Sequence, residues 1–349
     1  MRVLDGYEAA RGALRAPSVA IGQFDGVHRG HREVVGRAVA GARARGGDAV
    51  VLTFEPHPLA VLAPERAPRR LTRPADKLAL LEGLGVDAAV VQRFDQAFAR
   101  LTAAAFARAV VRDALGARHV VVGWNFAFGA GRTGRAVELA ALAGDEAGGA
   151  AGVAGSGSAS GSGSASGGGS ASGGGGVAPA VEVVAAVLVD GTPCSSSAVR
   201  ARLAAGDVEG AARLLGRAHA VVGPVVRGRE RGRTIGFPTA NVDAGDLVVP
   251  AAGVYAVRAV LPDGARQDGV CNVGVAPTFG GEPAPRVEVF LFDWTGDLYG
   301  RELRVEWVAR LREERAFAGV AALKTQIAAD AAAAREALAR AAAVEREGA

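Results

Sequence analysis

The chain has 349 residues, half of them apolar, and its formal net charge is only +4 because 40 Lys and Arg oppose 36 Asp and Glu. This suits a globular protein of two domains, and the scattered arginines argue against a nucleic-acid-binding protein. The N-terminus lacks a secretory signal, no apolar run can span a bilayer, and Cys194 and Cys271 make no disulfide framework, so we expect a cytoplasmic protein.

Short apolar runs alternate with helical patterns from residue 17 to about residue 142, beginning with "SVAIG" and "HREVVGRAVAGARARG". Repeated strand and helix units predict a parallel sheet with helices on both faces. Ligands of such sheets lie beyond the carboxyl ends of the strands. Three loops, at 22–31, 53–58 and 123–134, are therefore expected at one edge.

A Gly/Ser/Ala tract covers residues 143–180 and has almost no charge and no large apolar side chain. This composition predicts a disordered segment. Because an apolar strand, "VEVVAAVLV", and a helix, "SSSAVRARLAAG", follow it, we interpret the tract as an insertion inside a first domain of residues 1–216.

Short strands broken by Gly, Pro and Asp follow in the second predicted domain, residues 217–349. Their spacing predicts a small antiparallel β-barrel. The Ala-rich tail lacks proline and predicts a closing helix. The expected fold class is thus α/β plus β, with a Rossmann-like N-terminal domain before the barrel.

The stretch "GQFDGVHRGH" carries two histidines, His28 and His31, at the start of a predicted helix. Free backbone N–H groups and the helix dipole make such a start a phosphate site, and imidazoles add donors. Zinc ligation needs two further ligands, and Asp25 is the only acid close by. A structural histidine that caps the helix or packs in the sheet is the other alternative.

Two further stretches contain residues suited to phosphate. Three serines follow Cys194, and they either bind phosphate or cap the helix that contains Arg200. In "GPVVRGRERGRTIGFPTAN", Gly228 and Gly232 allow close approach of backbone to phosphate, although the spacing is not that of a Walker A loop. "GAGRTG" satisfies a dinucleotide-binding pattern, but no acidic residue follows at the required distance, which disfavours an oxidoreductase.

The chain resembles the family of bacterial bifunctional riboflavin kinase/FMN adenylyltransferases (FAD synthetases). The stretches above occur in the order found in that family, and so do "TFEPHP", "GWNFAFGAGRTG" and "CSSSAVRARLAAGDVEGAARLLGRAH". The resemblance covers nearly the whole chain apart from the Gly/Ser tract and the last turns. It implies that the barrel makes FMN from riboflavin and ATP with Mg²⁺, and that the N-terminal domain converts FMN and ATP to FAD and pyrophosphate.

The resemblance also implies roles for residues of the first domain. His28 and His31 would stabilise the ATP phosphates. The other nucleotide- and phosphate-binding residues would be Gly22, Phe24, Asp25, Asn125, Ser195, Ser196, Ser197 and Arg200. The flavin-binding residues would be Phe54, Pro56, His57, Pro58 and Phe128. Ala198 departs from the family pattern, which often has arginine there.

In the second domain, the resemblance implies that Thr239 and Asn241 ligate Mg-nucleotide, and both offer the hard oxygen atoms that magnesium prefers. Riboflavin attacks through a primary alcohol, so a positioned base is needed, and the resemblance assigns it to Glu288. A solvent-facing residue of an alternating strand is the structural alternative for Glu288. Asn272 and Arg312 would bind the flavin. Ala276 replaces a frequently basic family residue.

The expected partners are small molecules, namely ATP, riboflavin and FMN, with neither nucleic acid nor membrane. The sequence leaves open whether the chain forms a homo-oligomer. The alternative function is a single-activity nucleotidyltransferase with a non-catalytic barrel.

Overall fold

The computed structural model describes residues 1–144, 178–228, 236–276 and 284–347. The chain divides into two compact units. The first consists of Met1–Gln23, Val34–Glu65 and Gly85–Ala185, and the second of Phe24–Glu33, Arg66–Leu84 and Ala186–Ala349. The second unit thus contains the two histidines of "GQFDGVHRGH" as well as the C-terminal part of the chain. The domain boundary between residues 216 and 217 remains a prediction.

The described strands before residue 217 are β1 (Arg2–Asp5), β2 (Ser18–Ile21), β3 (Ala49–Glu55), β4 (Ala88–Arg93), β5 (His119–Gly123), β6 (Ala127–Phe128), β7 (Gly134–Arg135), β8 (Ala180–Val184), β9 (Leu188–Val189) and β10 (Thr192–Pro193). Six of them form one sheet in the order β1-β4-β3-β2-β5-β8. Every pair in this sheet is parallel, which confirms the predicted architecture. Strand β2 is buried along its whole length, as expected for a sheet covered on both faces.

The described α-helices are α1 (Arg29–Ala44), α2 (Pro58–Leu62), α3 (Pro74–Glu82), α4 (Gln96–Ala99), α5 (Ala103–Ala105), α6 (Leu139–Gly144), α7 (Ser196–Ala204), α8 (Val208–Leu215) and α9 (Val320–Glu347). Helix α5 continues as a π-helix over Phe106–Ala114. Among the described residues, no helix is both long and apolar enough to cross a membrane.

The predicted insertion at 143–180 lies mostly outside the described residues, which end at 144 and resume at 178. Its first two residues complete α6, and its last residue begins β8. Strand β8 pairs with β5, so the chain that follows the tract still contributes to the first sheet.

A closed antiparallel barrel has the strand order β11-β12-β15-β14-β13-β16 and confirms the second predicted architecture. Its strands are β11 (His219–Val226), β12 (Ala240–Val242), β13 (Gly253–Val260), β14 (Arg266–Ala276), β15 (Ala284–Leu291) and β16 (Glu302–Arg312). Inward side chains fill it, including Trp307, which packs edge-on against Tyr255 at 5.4 Å between ring centroids. Helix α9 packs outside, where Ala334 and Leu338 are buried in a cluster with Phe292.

Candidate nucleotide and flavin sites

The loop before α1 has an unusual backbone. Phe24, Gly26 and Val27 have φ angles of +53°, +85° and +39°. A β-branched residue such as Val27 rarely adopts positive φ, because its side chain crowds the backbone. A Cβ atom on Gly26 would lie 2.8 Å from Cδ1 of Leu71. The conformation that leads into His28 is therefore one that surrounding contacts must maintain.

Asp25 provides several of those contacts. Its carboxylate accepts hydrogen bonds from the backbone N–H groups of Leu71 and Thr72 at 3.0 and 3.1 Å, and it pairs with the Arg200 guanidinium. Its carbonyl accepts a 2.8 Å bond from Ser196 Oγ. The structure thus brings Asp25, Ser196 and Arg200 together, as residues that bind one another.

His28 and His31 stack with ring centroids 3.5 Å apart and an interplanar angle of 19°. The backbone N–H of His31 donates to Nδ1 of His28 at 3.2 Å. Because Nδ1 accepts a bond, a neutral His28 must carry its proton on Nε2.

Both imidazoles are neutral near pH 7. Burial, followed by the charge of Arg217, lowers the pKa of His28 to about 4. Burial also lowers the pKa of His31 well below its usual value, and His28, Lys77 and Arg217 lower it further. The two rings therefore act as neutral hydrogen-bonding groups. In the described part of the chain, no group of three or more His, Cys, Asp or Glu side chains could hold a metal ion.

The serines at the start of α7 have different surroundings. Ser195 Oγ caps the helix by accepting a 3.1 Å bond from the N–H of Ala198, so the capping interpretation holds for this serine. Ser197 is exposed. A Cβ atom on Gly30 would lie 3.2 Å from the His28 ring and 3.3 Å from the Cys194 carbonyl, so glycine permits close packing here.

The loops of the first unit extend from the carboxyl ends of β2, β3 and β5, which are neighbours in the sheet. Gln23 Nε2 donates to the Phe54 carbonyl at 3.0 Å, and Thr53 Oγ1 donates to the Gln23 carbonyl at 3.1 Å. These bonds join the loop that begins at Gly22 to the end of β3. Asn125 follows β5 and is exposed.

The predicted flavin-binding residues of this unit are mostly aromatic or proline. Phe54 packs against Phe98 at 5.9 Å between ring centroids, and Phe128 packs against Phe106 at 5.5 Å. Pro56 and Pro58 flank His57, whose Nδ1 accepts a 3.1 Å bond from Leu59 N–H and caps α2. The "GAGRTG" stretch connects β6 to β7 and ends at the first residue of β7, so it is not the strand-to-helix turn of a dinucleotide site.

Three predicted residues of the barrel form a polar row. Glu288 on β15 lies opposite Asn241 on β12 and opposite Asn272 on β14. Directly paired residues of antiparallel strands point to the same face. Val287 and Val289 are fully buried in the core, so the row lies on the outer face of the barrel. Arg286 Nη1 donates to Glu288 Oε1 at 3.2 Å.

A cavity of about 660 Å³ adjoins this part of the barrel. Its walls include Thr239 and Asn241, and they also include Arg227, Trp294 and Tyr299. Cavities of this size hold small-molecule ligands. The Arg227 guanidinium lies 5.1 Å above the centre of the Tyr299 ring.

The remaining predicted residues of the second unit have varied surroundings. A Cβ atom on Gly228 would collide with the Asn241 side chain, so glycine permits a close backbone approach to that residue. Arg312 forms a two-pronged ion pair with Asp330 of α9, at 2.8 and 2.7 Å. Gly232 lies outside the described residues.

Sequence reasoning missed Trp294 and Tyr299 in the cavity, and it missed Arg217. One of only three tryptophans in the chain, Trp294 lies between Asp293 and Thr295 in a loop, and its rarity was a usable signal. Arg217 is one of many scattered arginines, and no pattern distinguished it.

Comparison with known proteins matches both parts of the chain. The FAD synthetase family matches residues 11–154, and the riboflavin kinase family matches residues 215–338. A curated bifunctional riboflavin kinase/FMN adenylyltransferase of Pseudomonas fluorescens is 38% identical over 335 residues, covering 96% of this chain and 97% of the relative. The Bacillus subtilis (strain 168) protein of the same description is 36% identical over 316 residues, covering 89% of each chain.

A solved structure described as a macrolide-efflux protein from Streptococcus pneumoniae superposes with a TM-score of 0.77 and 29% identity, covering 95% of this chain and 97% of that one. The parallel sheet, the histidine-bearing helix start and the barrel with its cavity define a two-part phosphate-transferring enzyme. The chain belongs to the family of bifunctional riboflavin kinase/FMN adenylyltransferases.

Proposed function

We propose that the chain makes FAD in two steps at two sites. Riboflavin and ATP give FMN and ADP in the barrel, and FMN and ATP give FAD and pyrophosphate in the N-terminal domain. The observation that carries this proposal is the match of a different family to each part, residues 11–154 and 215–338. The domains would be residues 1–216 and 217–349.

The adenylylation step needs positioning and charge stabilisation more than a strong base. A phosphate monoester loses its second proton at about pH 6, so the FMN phosphate is already a nucleophile at neutral pH. A phosphate oxygen of FMN attacks the α-phosphorus of ATP, and the bond to pyrophosphate breaks. Neutral His28, with its proton on Nε2, would donate to a phosphate oxygen as charge develops there.

The resemblance supports nucleotide-binding roles for further residues. Ser197 and Asn125 are exposed, and each would hydrogen-bond to the nucleotide, whereas Gly22 would allow close backbone approach. Asp25 and Arg200 form an ion pair with each other. This pairing supports a role in holding the loop before α1, in addition to any contact with the nucleotide. The flavin would lie against Phe54, His57 and the prolines that flank it, with Phe128 supporting them.

The kinase step needs a base, because the riboflavin hydroxyl is protonated at neutral pH. Glu288 would accept that proton while the alcohol oxygen attacks the γ-phosphorus of ATP and ADP leaves. The row of Asn241, Glu288 and Asn272 supports this, since it places a carboxylate between a residue of the nucleotide cavity and a predicted flavin-binding residue.

The residues present fit a magnesium ion that is bound mainly through nucleotide phosphates. Magnesium uses few protein ligands in such sites and prefers oxygen. Thr239 and Asn241 supply a hydroxyl and an amide oxygen to the walls of the same cavity. When bound, the ion would neutralise phosphate charge, while Thr239 and Asn241 would orient the nucleotide.

The proposed partners are these small molecules, and the proposed location is the cytoplasm. Both cysteines, Cys194 and Cys271, are free and buried, which suits a reducing compartment.

Chromatographic separation of riboflavin, FMN and FAD during incubation with riboflavin, ATP and magnesium tests the proposal. We expect FMN to rise first and then to give way to FAD. A parallel reaction started from FMN isolates the second step. Accumulation of FMN alone would rule out the adenylylation step, and no product from either flavin would rule out both steps.

A further inference from the structure

Arg217 lies between Gly216, the left-handed residue that ends α8, and the first barrel strand. Its Nη2 donates to the Gly26 carbonyl at 2.8 Å, and its Nη1 donates to the Val27 carbonyl at 3.3 Å. Its Nε is buried without a hydrogen-bond partner. The guanidinium therefore directs its available hydrogen bonds at two consecutive carbonyls immediately before His28.

Those carbonyls belong to the strained part of the loop. Gly26 and Val27 both have positive φ, and for the β-branched Val27 this conformation is strained. Asp25 anchors the loop from the preceding residue through its bonds to Leu71 and Thr72. Arg217 anchors it from the side of His28.

Arg217 remains charged near neutral pH although its surroundings lower its pKa. Burial, together with the charges of Arg32 and Arg304, lowers its pKa to about 10, although the carboxylates of Asp76 and Glu306 oppose the shift. A charged donor makes stronger hydrogen bonds to carbonyl oxygens than a neutral one. Burial of this cation is costly unless its bonds are used, which points to a specific role.

We propose that Arg217 is a positioning residue for FMN adenylylation, because its guanidinium holds the Gly26 and Val27 carbonyls and so fixes His28 and the first turn of α1. It touches no substrate and acts through the loop. This inference rests on the role proposed above for His28.

Three variants test the inference: Arg217→Met, Arg217→Lys and the control Arg213→Met. Methionine keeps much of the side-chain volume and removes every donor. Lysine keeps the charge and one donor group, but it loses the forked geometry. Arg213 lies four residues earlier, on α8, and forms an exposed ion pair with Asp190. Exposed ion pairs contribute little to stability.

We expect Arg217→Met to lower kcat for FMN adenylylation at least about tenfold, with KM for ATP changed less, because the bound phosphates lose a correctly placed donor. Riboflavin kinase activity of the same sample should stay within about twofold. Arg217→Lys should fall between Arg217→Met and wild type, and Arg213→Met should match wild type. If Arg217→Met cannot be obtained folded, a selective loss of about threefold in Arg217→Lys supports the inference.

Wild-type adenylylation rates in Arg217→Met, or in Arg217→Lys where only that variant folds, would overturn it. Loss of both activities in Arg217→Lys would also overturn it, since that result indicates a general structural role. If the wild-type protein itself does not adenylylate FMN, the proposed function fails rather than the positioning role, and the NMR measurement below then decides.

Nitrogen-15 NMR of the histidine rings provides a readout without activity. In wild type, His28 should show Nδ1 as the acceptor and Nε2 as the protonated nitrogen. A displaced loop in Arg217→Met should lose the bond from His31 N–H and mix the two tautomers of His28. Retention of the Nε2-protonated tautomer would mean that Arg217 acts only through its charge, and it would overturn the positioning role.

Discussion

At the scale of single residues, burial decides the protonation of three histidines in the second unit, His28, His31 and His219. His219 is almost fully buried at the start of β11, with Nε2 2.8 Å from the Val248 carbonyl. Burial lowers its pKa to about 4, although the bond to Val248 opposes the shift. His28 has a pKa of about 4 for the same main reason. His28 and His219 are therefore neutral in the folded protein near pH 7.

Stability should fall as the pH falls from 7 to 5. An unfolded histidine has a pKa of about 6.5, so in this range the unfolded chain binds protons that folded His28 and His219 do not. Each would lower the free energy of unfolding by about 2 kcal/mol over that interval. His219→Gln keeps an N–H donor for Val248 and removes the titration. Urea unfolding at pH 7 and pH 5 should show a smaller loss in this variant, and an unchanged loss would contradict the assignment.

The two chemical steps should respond to different substitutions. His28→Ala should lower FAD formation by about a hundredfold and leave FMN formation within about twofold, because it removes a donor to developing phosphate charge. Glu288→Gln should do the reverse, because it removes the base. Both rates are measured on one sample of each variant. Glu336→Gln, on the exposed face of α9, is the control. Loss of both steps from either substitution in a folded protein would refute independent sites.

The sequence identified candidate site residues but not the contacts around them. Distinctive motifs contain His28, Glu288 and Asn241. The structure places His28 directly before α1 and the other two in a polar row, and their roles stay predictions. The importance of Asp25 to its own loop was not predictable, because it depends on Leu71 and Thr72, which are distant along the chain. Arg217 was missed for the same reason. Motifs identify chemistry, whereas long-range contacts decide which side chain supports which.

At the scale of elements, α1 depends on a glycine for its packing in the first unit. A Cβ atom on Gly41 would lie 2.5 Å from Nδ1 of His119 and 3.0 Å from Oγ of Ser18, which hydrogen-bond to each other at 2.8 Å. The glycine therefore lets the helix approach the beginnings of β2 and β5.

Gly41→Ala should destabilise the protein by about 1–3 kcal/mol, because the new methyl group would force apart a packed polar pair. Gly36→Ala is a matched control on the same helix, since a Cβ atom there has nothing within 4 Å. It should stabilise by up to about 1 kcal/mol through helix propensity. Equal effects of the two substitutions on the denaturation midpoint would show that propensity alone decides.

Secondary structure with strong periodicity was predictable from sequence. The parallel strands from β2 to β5 and the long barrel strands match the apolar runs. Strand β1 was missed because Arg2–Asp5 is an edge strand with mostly exposed residues. Strand β12 was missed because Ala240–Val242 is short and owes its state to pairing with β11 and β15. The run "VEVVAAVLV" forms two separate strands, β8 and β9, because β8 pairs with β5 whereas β9 pairs with β10.

At the scale of the whole chain, the two ends of the tract lie close together. A Cβ atom on Gly144 would lie 3.0 Å from the Cβ atom of Ala178. A short connection can therefore join α6 to the segment before β8. Closing a shorter loop also costs less entropy.

Replacement of residues 145–177 by a Gly-Ser linker of about six residues should leave both reaction rates within about twofold. Thermal unfolding should occur at the same temperature or slightly higher. The same time course of riboflavin, FMN and FAD provides the measurement, with the full chain as reference. A large loss of either rate would show that the tract has a role in catalysis.

The three tryptophans occupy three different environments, which makes the chain its own optical probe. Trp307 is in the barrel core, Trp294 borders the cavity of about 660 Å³, and Trp124 is exposed after β5. With Phe in place of Trp124, we expect the fluorescence emission of Trp294 to change if ADP binds in the cavity as proposed, while the emission of Trp307 would report the integrity of the barrel. Nucleotide binding could thus be followed by intrinsic tryptophan fluorescence, without turnover and without a label.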